Sequence, residues 1–259
     1  MPAICQMKVD GLFLDYDGTI SPINVPREQS RVIPQIESAL YQIRQLVPVG
    51  VITTKDLAFI LPKTPFAHAW ATVVGLEMKI GESIVKAPGL APALTRLRLA
   101  LRYAKQHLGD DIIIEEKRDA TGHTIAFCVD WRHIKKAVAV KSKVAQVMTC
   151  SEALRLEVIK YEGQPFFDVY PCPVDKGKAL TELKGSFGLK SGVMYMGDSK
   201  VDNPAFKVAD IGIGVLYGES PSELDCDYYV KLEDVTNLLQ HLLENNLVFS
   251  PTFPEIEKR

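Results

Sequence analysis

The stretch Gly11-Leu12-Phe13-Leu14-Asp15-Tyr16-Asp17-Gly18-Thr19-Ile20 decides how the rest of the chain is interpreted. A short apolar run that ends in turn-forming residues is typical of a buried strand. Asp15 then lies at the carboxyl end of that strand, where open α/β sheets bind their ligands. Two carboxylates one residue apart repel each other unless a metal ion or a proton intervenes. The stretch predicts a cation site, with a simple acidic turn after a strand as the alternative.

Phosphoryl transfer is the chemistry that such a pair of acids supports. Mg²⁺ binds one or two carboxylates together with water and phosphate oxygens. Asp15 could attack phosphorus and form an aspartyl-phosphate, while Asp17 could move protons for the leaving group. Gly18 permits a tight turn and a close approach of the backbone to phosphate.

Composition excludes several classes of partner. The chain has 259 residues with 30 basic and 32 acidic side chains, a formal net charge of -2. The charges are interspersed, so neither nucleic-acid nor membrane-surface binding is expected. No apolar run is long enough for a membrane span, and residues 1–9 lack the apolar core of a signal peptide. The expected partner is a small molecule, and the oligomeric state stays open.

The cysteines indicate a reducing compartment. Five are scattered along the chain without C-x-x-C spacing: Cys5, Cys128, Cys150, Cys172 and Cys226. A disulfide framework or a zinc site is therefore not expected, and we predict a cytoplasmic protein.

Strands and helices alternate at both ends of the chain but not in the middle. Before residue 86 the pattern is strand, helix, strand, helix, strand, and alternation returns after residue 172, which predicts a doubly wound, mostly parallel α/β sheet. Between them, residues 87–171 have the order helix-strand-strand twice. We expect a core formed by residues 1–86 and 172–259, and an inserted α+β domain with four antiparallel strands. Residues 228–230 are expected to form an edge strand, and the tail from Ser250 to be irregular.

A second group of polar residues also follows strands or opens a helix. Asp198 comes directly after an apolar strand, as Asp15 does, and Asp202 follows four residues later. Thr53 ends the strand at residues 49–52, and Lys176 opens a helix. Asp15 and Asp198 could share one metal ion, and the lysine could hold negative charge at the same place. Taken singly, Thr53 also fits a turn hydroxyl, Lys176 a solvated lysine and Asp202 a helix cap before Pro204.

The chain resembles the haloacid dehalogenase superfamily of phosphotransferases over nearly its full length. The resemblance lies in the order of four motifs: D-x-D-G-T, a strand-end Thr, a helix-opening Lys and G-D-S-x-x-D-N. The resemblance implies a nucleophile at Asp15, a general acid/base at Asp17, and a phosphoryl-binding pair at Thr53 and Lys176. It implies Mg²⁺ on Asp15, Asp198 and the carbonyl of Asp17, with metal-site support from Asp202 and Asn203. Substrate contacts are expected at Gly18, Thr19, Thr54 and Lys55, and the inserted domain would be a cap that selects substrate.

Within the superfamily, the chain looks most like trehalose-6-phosphate phosphatases. The likeness lies in the opening motif, in Gly75-Leu76-Glu77, and in the strands around Glu115-Glu116-Lys117 and Trp131-Arg132. It departs at Thr54-Lys55, where the family usually has Gly-Arg, and at Asp198-Ser199, which is more typical of other sugar phosphatases and of phosphomannomutases. The cap residues expected to bind sugar, or else to be ordinary strand-surface polar groups, are Glu116, Lys117, Trp131, Arg132 and Asp168.

The resemblance predicts a Mg²⁺-dependent phosphomonoesterase that acts on a sugar phosphate, with trehalose 6-phosphate as the leading candidate. Other sugar phosphatases, a phosphomutase with the same nucleophile, and a non-catalytic sugar-phosphate sensor are the alternatives. A sensor would need neither the nucleophile nor the acid.

Overall fold

The structure, a computed structural model, describes residues 6–23, 25, 27–134, 137–161, 163–217 and 223–258. Residues 1–5, which include Cys5 and begin the segment 1–9 that lacks the apolar core of a signal peptide, lie outside the described residues. The strands are β1 (Met7–Lys8), β2 (Gly11–Leu14), β3 (Val49–Ile52), β4 (Ala69–Thr72), β5 (Glu77–Ile80), β6 (Ser83–Lys86), β7 (Ile113–Arg118), β8 (Thr124–Asp130), β9 (Glu157–Lys160), β10 (Phe166–Tyr170), β11 (Val193–Gly197), β12 (Ile211–Leu216), β13 (Tyr228–Lys231), β14 (Val248–Phe249) and β15 (Ile256–Lys258). The α-helices are α1 (Pro34–Ile43), α2 (Leu57–Ile60), α3 (Leu90–His107), α4 (Ala137–Ala153), α5 (Lys176–Ser186), α6 (Asn203–Phe206) and α7 (Val235–Glu244).

The described chain divides into two compact units. The core unit comprises Met1–Thr54, Phe59–Val85 and Asp175–Arg259, and the inserted unit comprises Lys55–Ala58 and Lys86–Val174. Within the described residues, none of the helices has both the length and the apolar character that crossing a membrane requires.

The sheet of the core unit has the order β15-β13-β12-β11-β2-β3-β4-β5-β6. Strands β13 to β4 run parallel, whereas β15 and β5 pair antiparallel with their neighbours. All four residues of β2 are buried because helices cover both faces of such a sheet. The chain leaves β2 toward β3 on one side and returns to β11 on the other. The carboxyl ends of β2 and β11 therefore form the topological switch point, where this class of fold binds ligands.

The inserted unit is built from two helix-strand-strand segments. Its four strands pair antiparallel in the order β7-β8-β10-β9. Helices α3 and α4 pack on one face through a cluster that includes Leu97, Phe127, Val129, Val144 and Phe167. The predicted fold class, a mostly parallel α/β sheet with an inserted α+β segment, is confirmed.

Two expectations about the C-terminal end are wrong. Residues 256–258 are not irregular but form β15, which pairs antiparallel with β13, so β13 is not an edge strand. The tail is held because His241 on α7 contacts the Glu255 carboxylate at 2.8 Å and the rings of Phe249 and Phe253 pack together. The pairing of β15 with β13 and the His241–Glu255 contact join residues that are distant in the chain and leave no local sequence pattern.

Candidate active site

Three carboxylates meet at the switch point of the core sheet. Leu14 pairs with Met196 across β2 and β11, so Asp15 and Asp198 both lie just beyond the same edge. Asp15, Asp198 and Asp202 offer oxygens that all lie within 4.8 Å of one another. Asp15 and Asp202 are buried. The two strand ends thus bring together the acids that the sequence places 183 residues apart, from 15 to 198.

Lys176 reaches this group from the first turn of α5. Helix α5 begins there because the Asp175 side chain caps it, accepting hydrogen bonds from the N–H groups of Gly177 and Lys178. The Lys176 side chain is almost fully buried, and its Nζ lies 3.0 Å from Asp15 Oδ1 and 2.6 Å from Asp202 Oδ1. A buried ammonium requires such partners, since an isolated charge in the interior is costly.

Asp202 anchors the loop that carries Asp198. Its Oδ2 accepts hydrogen bonds from the backbone N–H of Asp198 and from both the N–H and the hydroxyl of Ser199, at 3.0–3.2 Å. Tyr195 donates its hydroxyl to the other carboxylate oxygen, which Lys176 also contacts. Asp202 therefore holds the turn that follows β11 and is also a partner of the buried lysine. The interpretation of Asp202 as a helix cap before Pro204 is wrong, because its side chain makes no capping hydrogen bond at the start of α6.

The electrostatics of the group show an excess of negative charge. Burial raises the pKa of Asp15 to about 7, with Asp202 and Asp17 adding to the rise and Lys176 opposing it. Burial and the carboxylates of Asp15 and Asp202 raise the pKa of Asp198 well above its usual value. The neighbouring carboxylates, together with their hydrogen bonds, overcome the effect of burial on Lys176 and raise its pKa. One buried ammonium does not balance these acids.

This donor set fits Mg²⁺. Clustered carboxylate oxygens are the ligands this ion prefers, and a dication would offset the burial and the mutual repulsion that together raise the acids' pKa values. In this arrangement, Asp15 and Asp198 are the side chains that would hold the ion. The predicted ligand Asp17 is half-buried at the start of the turn that follows Asp15.

The loop after β2 fits closely against Asp198. Gly18 has φ of 75°, and a Cβ built on it would lie 2.1 Å from Asp198 Oδ2, so only glycine is compatible with this contact. The loop closes through the Gly18 N–H, which donates to the Ser21 carbonyl at 2.7 Å. Thr19 is fully buried, and its hydroxyl has no hydrogen-bond partner among the described residues.

The remaining predicted residues of the core motifs occupy two places. Thr53 is buried directly after β3, and Thr54 and Lys55 follow it in the same loop, both half-buried. Asn203 lies elsewhere, because its amide oxygen accepts from the Asp225 N–H and its amide nitrogen donates to the Glu223 carbonyl. These hydrogen bonds direct the Asn203 side chain to the loop before β13 rather than to the carboxylates.

Two of the predicted sugar-binding residues form an ion pair inside the inserted unit. Lys117 Nζ lies 2.6 Å from Asp168 Oδ1, and both side chains are about 4% exposed. Tyr161 and Tyr170 donate their hydroxyls to the other oxygen of Asp168, at 2.7 and 3.1 Å. Burial alone raises the pKa of Asp168, but Lys117 and these hydrogen bonds bring it below its usual value. The sequence indicated the lysine and the acid but not the two tyrosines.

The other predicted sugar-binding residues lie on the helix-covered face or near the end of β8. Glu116 pairs with Lys105 of α3 at 2.5 Å. Arg132 pairs with Asp130, and the Trp131 ring packs on Phe167. Side chains alternate along a strand, so Glu115 rather than Glu116 shares a face with Lys117. Counting in steps of two from Lys117 would have indicated Glu115 from the sequence.

Comparison with known proteins places this chain in a family. The model of the sucrose-6F-phosphate phosphohydrolase family matches residues 68–242, about two thirds of the chain. The chain belongs to this family. Among curated relatives, probable trehalose-phosphate phosphatase 4 of Oryza sativa subsp. japonica is 25% identical over 248 residues, covering 90% of the chain and 64% of the relative. The chain thus spans less than two thirds of that relative's length.

Two solved structures share the fold of this chain. The C-terminal domain of the C. albicans trehalose-6-phosphate phosphatase superposes with a TM-score of 0.67 at 16% identity, covering 92% of this chain and 93% of that one. A haloacid dehalogenase-like hydrolase from Bacteroides thetaiotaomicron superposes with a TM-score of 0.66 at 14% identity, covering 91% and 100%. The predicted haloacid dehalogenase fold and the likeness to trehalose-6-phosphate phosphatases are confirmed.

Proposed function

We propose that this member of the family is a Mg²⁺-dependent phosphomonoesterase that hydrolyses a sugar phosphate, with trehalose 6-phosphate as the leading substrate. The observation that carries the proposal is the buried Lys176, which contacts Asp15 and Asp202 beside Asp198 at the switch point of the sheet. A binding module would need neither a nucleophile nor a lysine buried against it. The family match and the curated relatives support the sugar-phosphate class.

The proposed reaction has two steps that share one nucleophile. An Asp15 carboxylate oxygen attacks phosphorus, the phosphorus–oxygen bond to the sugar breaks, and Asp17 gives a proton to the leaving sugar oxygen. Asp17 then takes a proton from water as the water oxygen attacks the aspartyl-phosphate. That step releases inorganic phosphate and restores the Asp15 carboxylate.

Other residues hold the charge of the transferring group. Lys176 and the Thr53 hydroxyl are proposed to bind the phosphoryl oxygens, whose charge is greatest in the transition state. Asp15, Asp198 and the Asp17 carbonyl would hold Mg²⁺, which would supply electrostatic stabilisation of the phosphoryl charge. Gly18, Thr19, Thr54 and Lys55 are proposed to line the phosphate side of the site.

The sugar side is proposed to involve the inserted unit as a cap. Lys117, Trp131, Arg132 and Asp168 remain its proposed contacts, whereas Glu116 is no longer proposed because it pairs with Lys105 of α3 on the helix-covered face. The Lys117–Asp168 pair with its two tyrosines offers a polar group of the kind that fixes sugar hydroxyls. The cytoplasm remains the proposed compartment because of the scattered cysteines.

The test is release of inorganic phosphate with Mg²⁺ from trehalose 6-phosphate, sucrose 6-phosphate, glucose 6-phosphate and mannose 6-phosphate. A strong preference for trehalose 6-phosphate supports the full proposal. Weak release at similar rates from all four esters supports phosphatase activity but contradicts trehalose 6-phosphate as the preferred substrate. No release from any of them, with isomerisation of a sugar phosphate in the presence of a bisphosphate, would identify a phosphomutase instead.

A further inference from the structure

The turn between β4 and β5 has a backbone conformation that its residues rarely adopt. Val73 and Val74 have φ of 48° and 58°, and Gly75 has φ of 85°. Left-handed backbone is unfavourable for L-residues, and most of all for β-branched ones. Both valines are buried, so the surrounding packing maintains the conformation. Backbone strain of this kind is concentrated at functional sites.

Backbone hydrogen bonds connect this turn to Thr53. The N–H of Val74 donates to the Thr53 carbonyl at 2.9 Å, and the N–H of Thr53 donates to the Ala71 carbonyl at 2.9 Å. The pairing of β3 with β4 ends at Ile52 and Ala71. The two bonds therefore extend it by one residue and hold the backbone of Thr53 on both sides.

A second contact leads to the helix that carries Lys176. A Cβ built on Gly75 would lie 2.9 Å from the Cβ of Ala179, which is closer than real Cβ atoms approach. Ala179 lies three residues after Lys176 and therefore on the same side of α5. The contact on the opposite side of this helix end is closer still, since a Cβ built on Gly177 would lie 2.4 Å from the Pro204 carbonyl oxygen. The first turn of α5 is thus held between the Val73–Gly75 turn and α6.

We propose that the Val73–Gly75 turn is a positioning element, which sets Thr53 at the end of β3 against Lys176 in the first turn of α5. The inference rests on the proposed function, because Thr53 and Lys176 are there assigned to the transferring phosphoryl group. The turn acts through its backbone, by the Val74 hydrogen bond and the Gly75 contact, and does not itself bind substrate. A small displacement of either element would misplace the groups that hold the transition-state charge.

The first test compares two glycines that share a left-handed backbone. Gly81 has φ of 55°, but a Cβ on it would meet nothing within 4 Å. Both Gly75→Ala and Gly81→Ala should lower the melting temperature, since alanine is strained at positive φ. Only Gly75→Ala should reduce kcat for phosphate release, by 10-fold or more, while Gly81→Ala keeps kcat and KM within 2-fold of the wild type. Equal kcat values for the two variants would overturn the proposal.

The second test asks whether the contact with α5 is responsible. Ala179→Gly removes the atom that a Cβ at position 75 would meet, without changing the backbone of the turn. The double variant G75A/A179G should recover at least half of the kcat lost in G75A, although it stays less stable than the wild type. A double variant that is as slow as G75A, with A179G alone near wild type, contradicts a role transmitted through α5.

If Gly75→Ala does not fold, Ala179→Val replaces it as the test variant. It adds bulk on the same contact from the helix side, and a loss of kcat of at least 5-fold is expected. An unchanged kcat in A179V would overturn the proposal. A wild-type protein that releases phosphate from no ester defeats the proposed function, whereas an active wild type with unchanged G75A kinetics defeats this inference alone.

Discussion

At the residue scale, Asp15 is the group on which the proposed chemistry depends. Asp15→Asn keeps the size of the side chain but removes the nucleophilic carboxylate, so phosphate release should fall by about 10³-fold or more. The fold should persist, because the change removes one of several mutually repelling acids. Activity assays and far-UV circular dichroism provide the measurement. Glu182→Gln, an exposed acid on α5, is the control, and turnover retained in Asp15→Asn would exclude the aspartyl-phosphate scheme.

Lys176 contributes to stability as well as to the site. Lys176→Met leaves the buried carboxylates of Asp15 and Asp202 without their ammonium partner, which should cost about 3–5 kcal/mol of the free energy of unfolding. Lys178→Met, two residues along the same helix but exposed, should change it by about 0.5 kcal/mol or less. Urea denaturation without Mg²⁺ measures both. A similar, small loss in the two variants would show that the buried pairs contribute little.

At the scale of elements, the hairpin between β7 and β8 depends on one carboxylate. Asp119 Oδ1 accepts from the N–H groups of Thr121 and His123 and from the Thr121 hydroxyl, and Lys86 contacts its other oxygen at 2.7 Å. Burial alone raises the pKa of Asp119, but the Lys86 contact and these hydrogen bonds lower it to about 2. A lowered pKa means that the ionised carboxylate is stabilised by folding.

The pH dependence of this hairpin follows from that shift. The stabilisation should be fully present above pH 3.8, the usual pKa of the group, and should be lost as the pH falls toward 2. Asp119→Asn should therefore be less stable than the wild type at pH 6, by a margin that narrows below pH 4. Urea midpoints across this range measure the margin, with Asp110→Asn in the exposed loop before β7 as the control. A margin that stays constant down to pH 2 would contradict the assignment.

Elements differ in how far their sequence predicts them. Amphipathic patterns over residues 34–46 and 235–243 predict α1 and α7, and apolar runs at residues 11–14, 49–52 and 193–196 predict β2, β3 and β11. These patterns are local, and the structure has each element within three residues of those bounds. Strand β15 was missed because the residues 256–258 form a strand only by pairing with β13. The left-handed backbone of the two valines in the β4–β5 turn could not be predicted from the sequence either. Valine favours extended backbone, and only burial against its neighbours maintains the left-handed conformation.

At the scale of the whole molecule, metal binding should be linked to folding. Mg²⁺ at 100 times its Kd should stabilise the wild type by about 2.7 kcal/mol, because the unfolded chain has no such cluster of carboxylates. Thermal unfolding with Mg²⁺ and with EDTA measures the effect. Asp198→Asn should remove it, whereas Glu233→Gln, an exposed acid before α7, should not. A wild-type melting temperature that is the same with Mg²⁺ and with EDTA would argue against a metal at this cluster.

The sequence by itself determined the fold class, a mostly parallel α/β sheet with an inserted α+β segment, and the edge of the sheet at which Asp15 and Asp198 meet. Short apolar strands followed by Asp15, Thr53 and Asp198 predict that these residues meet, because the carboxyl ends of parallel strands lie at one edge of the sheet regardless of the loops that connect them. Only the tertiary structure decided how the side chains are partnered. It joined Lys176 to Asp202, Lys117 to Asp168 and its two tyrosines, and Asn203 to a distant loop. The Lys176–Asp202, Lys117–Asp168 and Asn203–Asp225 contacts join residues at least 22 positions apart in the chain. Burial makes an unpaired polar or charged group costly, but no local pattern predicts which partner it has.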